Sequence, residues 1–149
     1  MLFWHVGGAI LLFRWVFRDP KVDLRLLALG AVLPDVIDGL LGLVIGDPTT
    51  QRVGHSLVFP SLVAVVLLLL TRRGRRRRML MTVLVAWLFH LLLDGVWLRE
   101  DVFLWPFFGW KLGQPAAGTI WQRAAEPWRW VKEALGLAYL WVLLRSRGS

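Results

Sequence analysis

The sequence predicts an all-α fold, a polytopic membrane helical bundle of about five transmembrane helices with one interfacial or re-entrant aromatic loop. Three observations carry this prediction. The 149 residues are 57% hydrophobic, with a mean hydropathy of +0.58, a composition typical of membrane proteins and too apolar for a soluble core. The apolar residues come in long runs and do not alternate, so no sheet is expected. The charge is also gathered: within a formal net charge of +8, six arginines lie in "RRGRRRR" (72–78), between two apolar segments. A basic block in that place fixes topology, and nucleic acid is not expected as a partner. The length suits a single integral membrane domain, 1–149. There is no cysteine, so disulfides are excluded and redox chemistry does not report the compartment.

A span needs about 20 apolar residues, within a range of roughly 17 to 25. Five candidates appear: 2–17, short and carrying Arg14 near its end; 26–45; 53–70; 79–98; and 130–144, also short and preceded by the Trp-rich "WQRAAEPWRW" (121–130). Between the fourth and fifth, "VFLWPFFGWKLGQPAAG" (102–118) is too broken by Pro and Gly to span and suits an interfacial or re-entrant loop. Most of the ten tryptophans are expected to anchor at the interfaces. Arg14, Arg18, Lys21 and Arg25 surround the first connection, the arginine block fills the third, and Arg145 and Arg147 follow the last span. If these regions face the cytoplasm, the N-terminus is outside and the C-terminus inside. The opening residues have no basic n-region, so a cleaved signal peptide is not expected.

The polar residues inside the spans carry the functional information. All three histidines, His5, His55 and His90, lie in or at the edge of a span, as do Asp35, Asp38 and Asp94. On the predicted topology all six fall in the outer half of the bilayer. Their ideal depths differ by roughly 10 Å, which a tilt or a dipping loop must close. Asp35 and Asp38 (i,i+3) and His90 and Asp94 (i,i+4) each share a helix face. Pro34 is expected to kink the second span, while Gly7, Gly8, Gly39 and Gly95 would let backbones approach at this level. An ionised Asp in mid-span costs about 2.5 to 3.5 kcal/mol, so three amount to roughly 8 to 10 kcal/mol without compensation. Protonation or a helix-bridging polar network would relieve this, but a divalent cation does so best. Three imidazoles and three carboxylates form a mixed N/O set suited to zinc, with manganese or iron as alternatives, and suffice for one or two ions. Ser56 beside His55 is not read as a nucleophile, because adjacent side chains point in different directions.

"LPDVID" in the second apolar segment, "GHS" opening the third, and "HLLLDG" followed by "LWPF" resemble the LexA-binding, inner-membrane-associated hydrolase family, small membrane proteins regarded as metal-dependent hydrolases. The likeness runs from His5 to about Phe107, and the motifs are specific in their order and separation rather than singly. It implies that His5, Asp35, Asp38, His55, His90 and Asp94 are metal-site positions. The chain departs from the family at "QRVGHS" (51–56), where relatives often read His-Arg, a short spacer, then Thr-His-Ser. Gln51 and Gly54 therefore leave a further ligand or hydrogen-bond partner in doubt. The family name implies a repressor partner, which no residue feature of this chain supports.

The expected function is a metal-dependent hydrolase of the inner membrane, its site toward the outer face. It would cleave an ester or phosphoester of a lipid or lipid-linked substrate with metal-activated water. Asp38 and Asp94 are the candidate catalytic carboxylates, Asp38 either completing the coordination or acting as general base. Arg52 is a candidate phosphate contact, and "LWPFFGW" (104–110) would cover the site and admit an amphiphile. Two alternatives carry the same residues: a proton or metal-ion transporter, and a non-catalytic adaptor with a structural metal site, its arginine block meeting anionic lipid.

Overall fold

Turn chemistry and small-residue contacts decide where the apolar runs become helices. The structure, a computed structural model, describes residues 1–46, 53–107 and 126–148. Gln51, Arg52 and the aromatic stretch beyond Phe107 lie outside these residues. Helix α1, Leu2–Phe17, ends where Arg18 turns left-handed (φ 51°) and returns its N–H to the Arg14 carbonyl. Helix α2, Leu24–Ile45, starts slightly before the predicted span because the Asp23 carboxylate caps it, accepting the Arg25 N–H at 2.9 Å. Pro34 sits inside α2, which continues through it.

The third and fourth spans differ from expectation. Residues 53–70 do not form one helix. Val53–His55 is a 3-10 turn, and helix α3 runs only from Val58 to Leu70. The Ser56 hydroxyl accepts the Val58 N–H at 3.1 Å, and Pro60 stands in the first turn, where its missing N–H is harmless. Helix α4, Arg75–Leu93, takes up four arginines that were expected in the connection, in keeping with the good helix propensity of Arg. It stops short of residue 98 because Gly95 adopts φ 65°, and Val96–Leu98 follows as a 3-10 turn. Helix α5 is the single turn Glu100–Phe103, and α6, Pro127–Gly148, extends the predicted fifth span at both ends. Among the described residues there is no strand.

Helix α2 packs most extensively on α4, and α1 lies against α2, α4 and α6. Two close crossings depend on glycine. A Cβ at Gly30 would run into the Val83 carbonyl of α4, and one at Gly136 of α6 would run into the Phe3 carbonyl of α1. By contrast Gly39 faces open space, and Gly95 serves the turn by its positive φ, so neither provides the close approach expected from the sequence. The core comprises Ala9, Ile10, Phe13, Leu27, Ala31 and Ala86, with a second cluster around Leu84, Trp87 and Leu91. Large apolar side chains point outward on α2 (Leu40, Leu43, Val44) and α3 (Leu62, Val66, Leu69). Such an exterior is foreign to a protein that faces water on all sides.

By length and composition α2 is able to cross a membrane, at mean hydropathy 1.9; α1 and α3 are apolar but shorter. At 1.5 Å per residue these two rise about 24 and 20 Å, against a hydrocarbon core of about 30 Å. Gly30→Val will lower stability by about 1 to 3 kcal/mol through overpacking of the α2–α4 crossing. Gly39→Ala will leave it unchanged or raise it. Unfolding midpoints in a mild detergent check both.

Candidate metal centre

Helix α1 brings His5, α2 brings Asp35 and Asp38, the Val53–His55 turn brings His55, and the end of α4 brings His90 and Asp94. The depth gap expected between them is closed by the turn. Its backbone lies against α2 so closely that a Cβ on Gly54 would stand 2.6 Å from the Pro34 carbonyl oxygen and 3.0 Å from Asp38 Oδ1. The glycine that departs from the resembling family is thus what seats the turn here. From the other side the Trp87 indole N–H donates to the Gly54 carbonyl at 2.8 Å, and the Gly54 N–H donates to Asp38 Oδ1 at 2.7 Å.

These contacts fix the imidazoles. His55 Nδ1 donates to Asp38 Oδ2 at 2.7 Å. His90 Nδ1 donates to the Ala31 carbonyl at 2.6 Å, and a carbonyl can only accept, so that nitrogen carries a proton. Ala31 adjoins the helical turn that Pro34, having no N–H, leaves one bond short. With both Nδ1 atoms donating, each neutral ring turns the lone pair of Nε2 inward. The two Nε2 atoms are 3.2 Å apart. Asp35 Oδ1 lies 3.5 and 3.7 Å from His55 and His90 Nε2, and Asp94 Oδ2 lies 3.2 and 3.6 Å from them. The other Asp94 oxygen lies 2.8 Å from His5 Nε2. The His5 ring stacks on His90 with centroids 4.1 Å apart, and its buried Nδ1 has no partner among the described residues.

Five of the six residues singled out from the sequence therefore present donor atoms to one small volume. The sixth, Asp38, stands behind it: both oxygens serve the turn, and it belongs to neither of the two donor groups, His5–His90–Asp94 and Asp35–His55–His90. All three histidines and Asp38 are buried, whereas the Asp35 side chain is 49% exposed. The cluster opens to its surroundings on the Asp35 side. Ser56 is engaged structurally, donating to the Trp105 carbonyl at 2.8 Å while capping α3.

Three contributors escaped the sequence reading. Trp87 lies mid-helix, not at an interface, and that position was the available signal. The Ala31 carbonyl gave none, being backbone. Glu133 of α6 accepts the Phe3 and Trp4 N–H groups at 2.7 and 3.2 Å, capping the helix that carries His5. Its signal was a carboxylate inside the last apolar segment.

An all-helical chain, apolar outside and with imidazoles and carboxylates gathered inside, has the layout of a membrane protein built around a polar centre. The chain belongs to the YdjM inner membrane protein family, whose model it matches over residues 2–148. No curated protein and no solved structure matches it.

Trp87→Phe keeps the ring and removes the indole N–H, leaving the Gly54 carbonyl without that donor. Stability will fall by about 1 to 3 kcal/mol. Glu133→Ala will cost a similar amount by uncapping α1, and Glu133→Gln, which still accepts, will recover part of it. Detergent unfolding of the three variants checks both expectations.

Proposed function

We propose that the protein is a five-span inner-membrane hydrolase, N-terminus outside, in which His5, Asp35, His55, His90 and Asp94 hold one or two divalent cations. The observation that carries this reading is the pair of Nε2 atoms facing each other at 3.2 Å between two carboxylates. Two lone pairs so placed repel unless positive charge lies between them, as an added proton or a cation. Two nitrogens on one ion at about 2.0 to 2.1 Å, at the tetrahedral angle, would lie about 3.3 Å apart. The donor set, imidazole and carboxylate without thiolate, favours zinc and accepts manganese or iron. The unpartnered His5 Nδ1 fits a ring free to offer either nitrogen.

When bound, such a cation supplies Lewis acidity to an ester or phosphoester and makes water acidic enough to lose a proton near neutral pH. The chain's own groups do the rest. Asp38 holds the His55 tautomer and orientation, as carboxylates behind ligand histidines commonly do. Its oxygens are engaged, so the base role expected of it from the sequence passes more naturally to Asp35, the exposed carboxylate on the access side. Asp94, reaching His5 with one oxygen and the imidazole pair with the other, would hold the cation together with those three rings.

A lipid or lipid-linked ester is the favoured substrate. Beyond His55 an apolar cleft of about 340 Å³ runs between α3 (Val58, Leu62, Val65) and the aromatic segment at Leu104 and Phe107, and it suits an acyl chain. The transporter alternative lacks comparable support, since Ile10, Phe13, Leu27 and Ala31 pack the core between the cluster and the arginine end.

Elemental analysis of the purified protein tests the reading. Wild type will carry near-stoichiometric transition metal, and His90→Ala and Asp94→Ala will lose it. Asp38→Asn will keep the donors but weaken metal retention against a chelator by about 10- to 100-fold. Hydrolysis of detergent-solubilised phospholipids and of p-nitrophenyl esters and phosphodiesters will fall with metal content. Metal-free wild type, or activity that survives Asp35→Ala and His90→Ala, would overturn the proposal.

A further inference from the structure

Helices α1 and α4 are antiparallel, since His5 near the start of α1 meets Asp94 at the end of α4. At their opposite ends they enclose a second feature, remote from the histidine cluster: an open cleft of about 320 Å³. Its polarity is graded. Phe13 and Val85 line one end, and Phe17 and Met81 follow, the two phenylalanine rings lying 4.6 Å apart. Arg78 and Asp19 line the other end. From Val85 to Arg78 is about 10 Å along the helix.

The charge at the polar end is one-sided. Arg75, Arg76, Arg77 and Arg78 form the first turn of α4, with no acidic residue there and no side-chain cap. Cations at that end of a helix oppose its dipole, so the arrangement lacks an anion. Among the described residues, no carboxylate pairs with any of the arginines at 72–78. Asp19, the one acid lining the cleft, is turned to its own backbone and accepts the Lys21 N–H at 2.9 Å. Thr82, also in the lining, donates its hydroxyl to the Arg78 carbonyl at 2.9 Å. A slot with apolar walls and a mouth where the four arginines of the first α4 turn outnumber the one aspartate matches a ligand with one hydrocarbon end and one anionic end. Basic pockets between membrane helices take anionic headgroups in this way.

We propose that the cleft between α1 and α4 is a binding site for an anionic phospholipid, with the phosphate at Arg78 and an acyl chain along Phe17, Met81, Val85 and Phe13. The site is separate from the hydrolytic centre and does not depend on it.

The test titrates the full-length protein, purified in a neutral detergent, with phosphatidylglycerol, phosphatidylcholine or inorganic phosphate, and reads bound lipid by native mass spectrometry. Phosphatidylglycerol will be retained in preference to phosphatidylcholine. Arg78→Gln will weaken it by about fivefold or more, and Arg73→Gln, the same charge change outside the cleft, by less. Met81→Trp, which fills the slot without touching charge, will also weaken it. Equal retention of the two lipids would overturn the proposal. So would equal losses from Arg78→Gln and Arg73→Gln, which mean diffuse surface attraction. Displacement of the lipid by equimolar inorganic phosphate would overturn it too, reducing the cleft to a phosphate contact.

Discussion

Two imidazole nitrogens, on rings each held by a bond from Nδ1, face one another across 3.2 Å, and the surrounding structure is arranged to keep them there. Rotating His90 would break its bond to the Ala31 carbonyl, and rotating His55 would break its bond to Asp38. Either move would leave a buried polar group unsatisfied, which is more expensive than a hydrogen bond is worth when made. The pair is therefore preorganised from behind, through groups that do not themselves enter the cluster. Pro34, Gly54 and Trp87 belong to the same support: one interrupts the helical ladder near the Ala31 acceptor, one lets the turn lie on α2, and one clamps that turn from α4.

The same helices separate two charge environments. Along α4 the arginine turn and His90 stand about 18 Å apart, and Phe13, Ala31, Ala86 and their neighbours fill the interval with apolar packing. Carboxylates and imidazoles collect at one end, and guanidinium groups at the other. At the first end the acids and imidazoles contact one another, His5 with Asp94 and His55 with Asp38; at the second, no carboxylate among the described residues lies within ion-pair distance of the arginines at 72–78.

Much of this was legible in the sequence, for an energetic reason. A histidine or aspartate in an apolar run is expensive to place, so His5, Asp35, Asp38, His55, His90 and Asp94 stand out in the sequence, and they do gather. The all-helical fold was legible for a related reason, the length of the apolar runs. Less legible was anything set by tertiary contact. That Asp38 stands behind His55 depends on where a turn lies on a neighbouring helix, which spacing along α2 does not encode. Gly39 and Gly95 looked like crossing points and are not, whereas Gly30 and Gly136 are, because a glycine's role depends on what faces it. Residues 53–70 read as one span because hydropathy is blind to the Ser56 cap and the Gly54 turn that divide it.

The grip of α6 on α1 bears on biogenesis. His5 belongs to α1, yet that helix is capped by Glu133 and packed against Gly136, which leave the ribosome more than a hundred residues later. Until then the amino-terminal helix lacks its final seat. A truncated or stalled chain would therefore present the histidine cluster without the support that holds α1 in place.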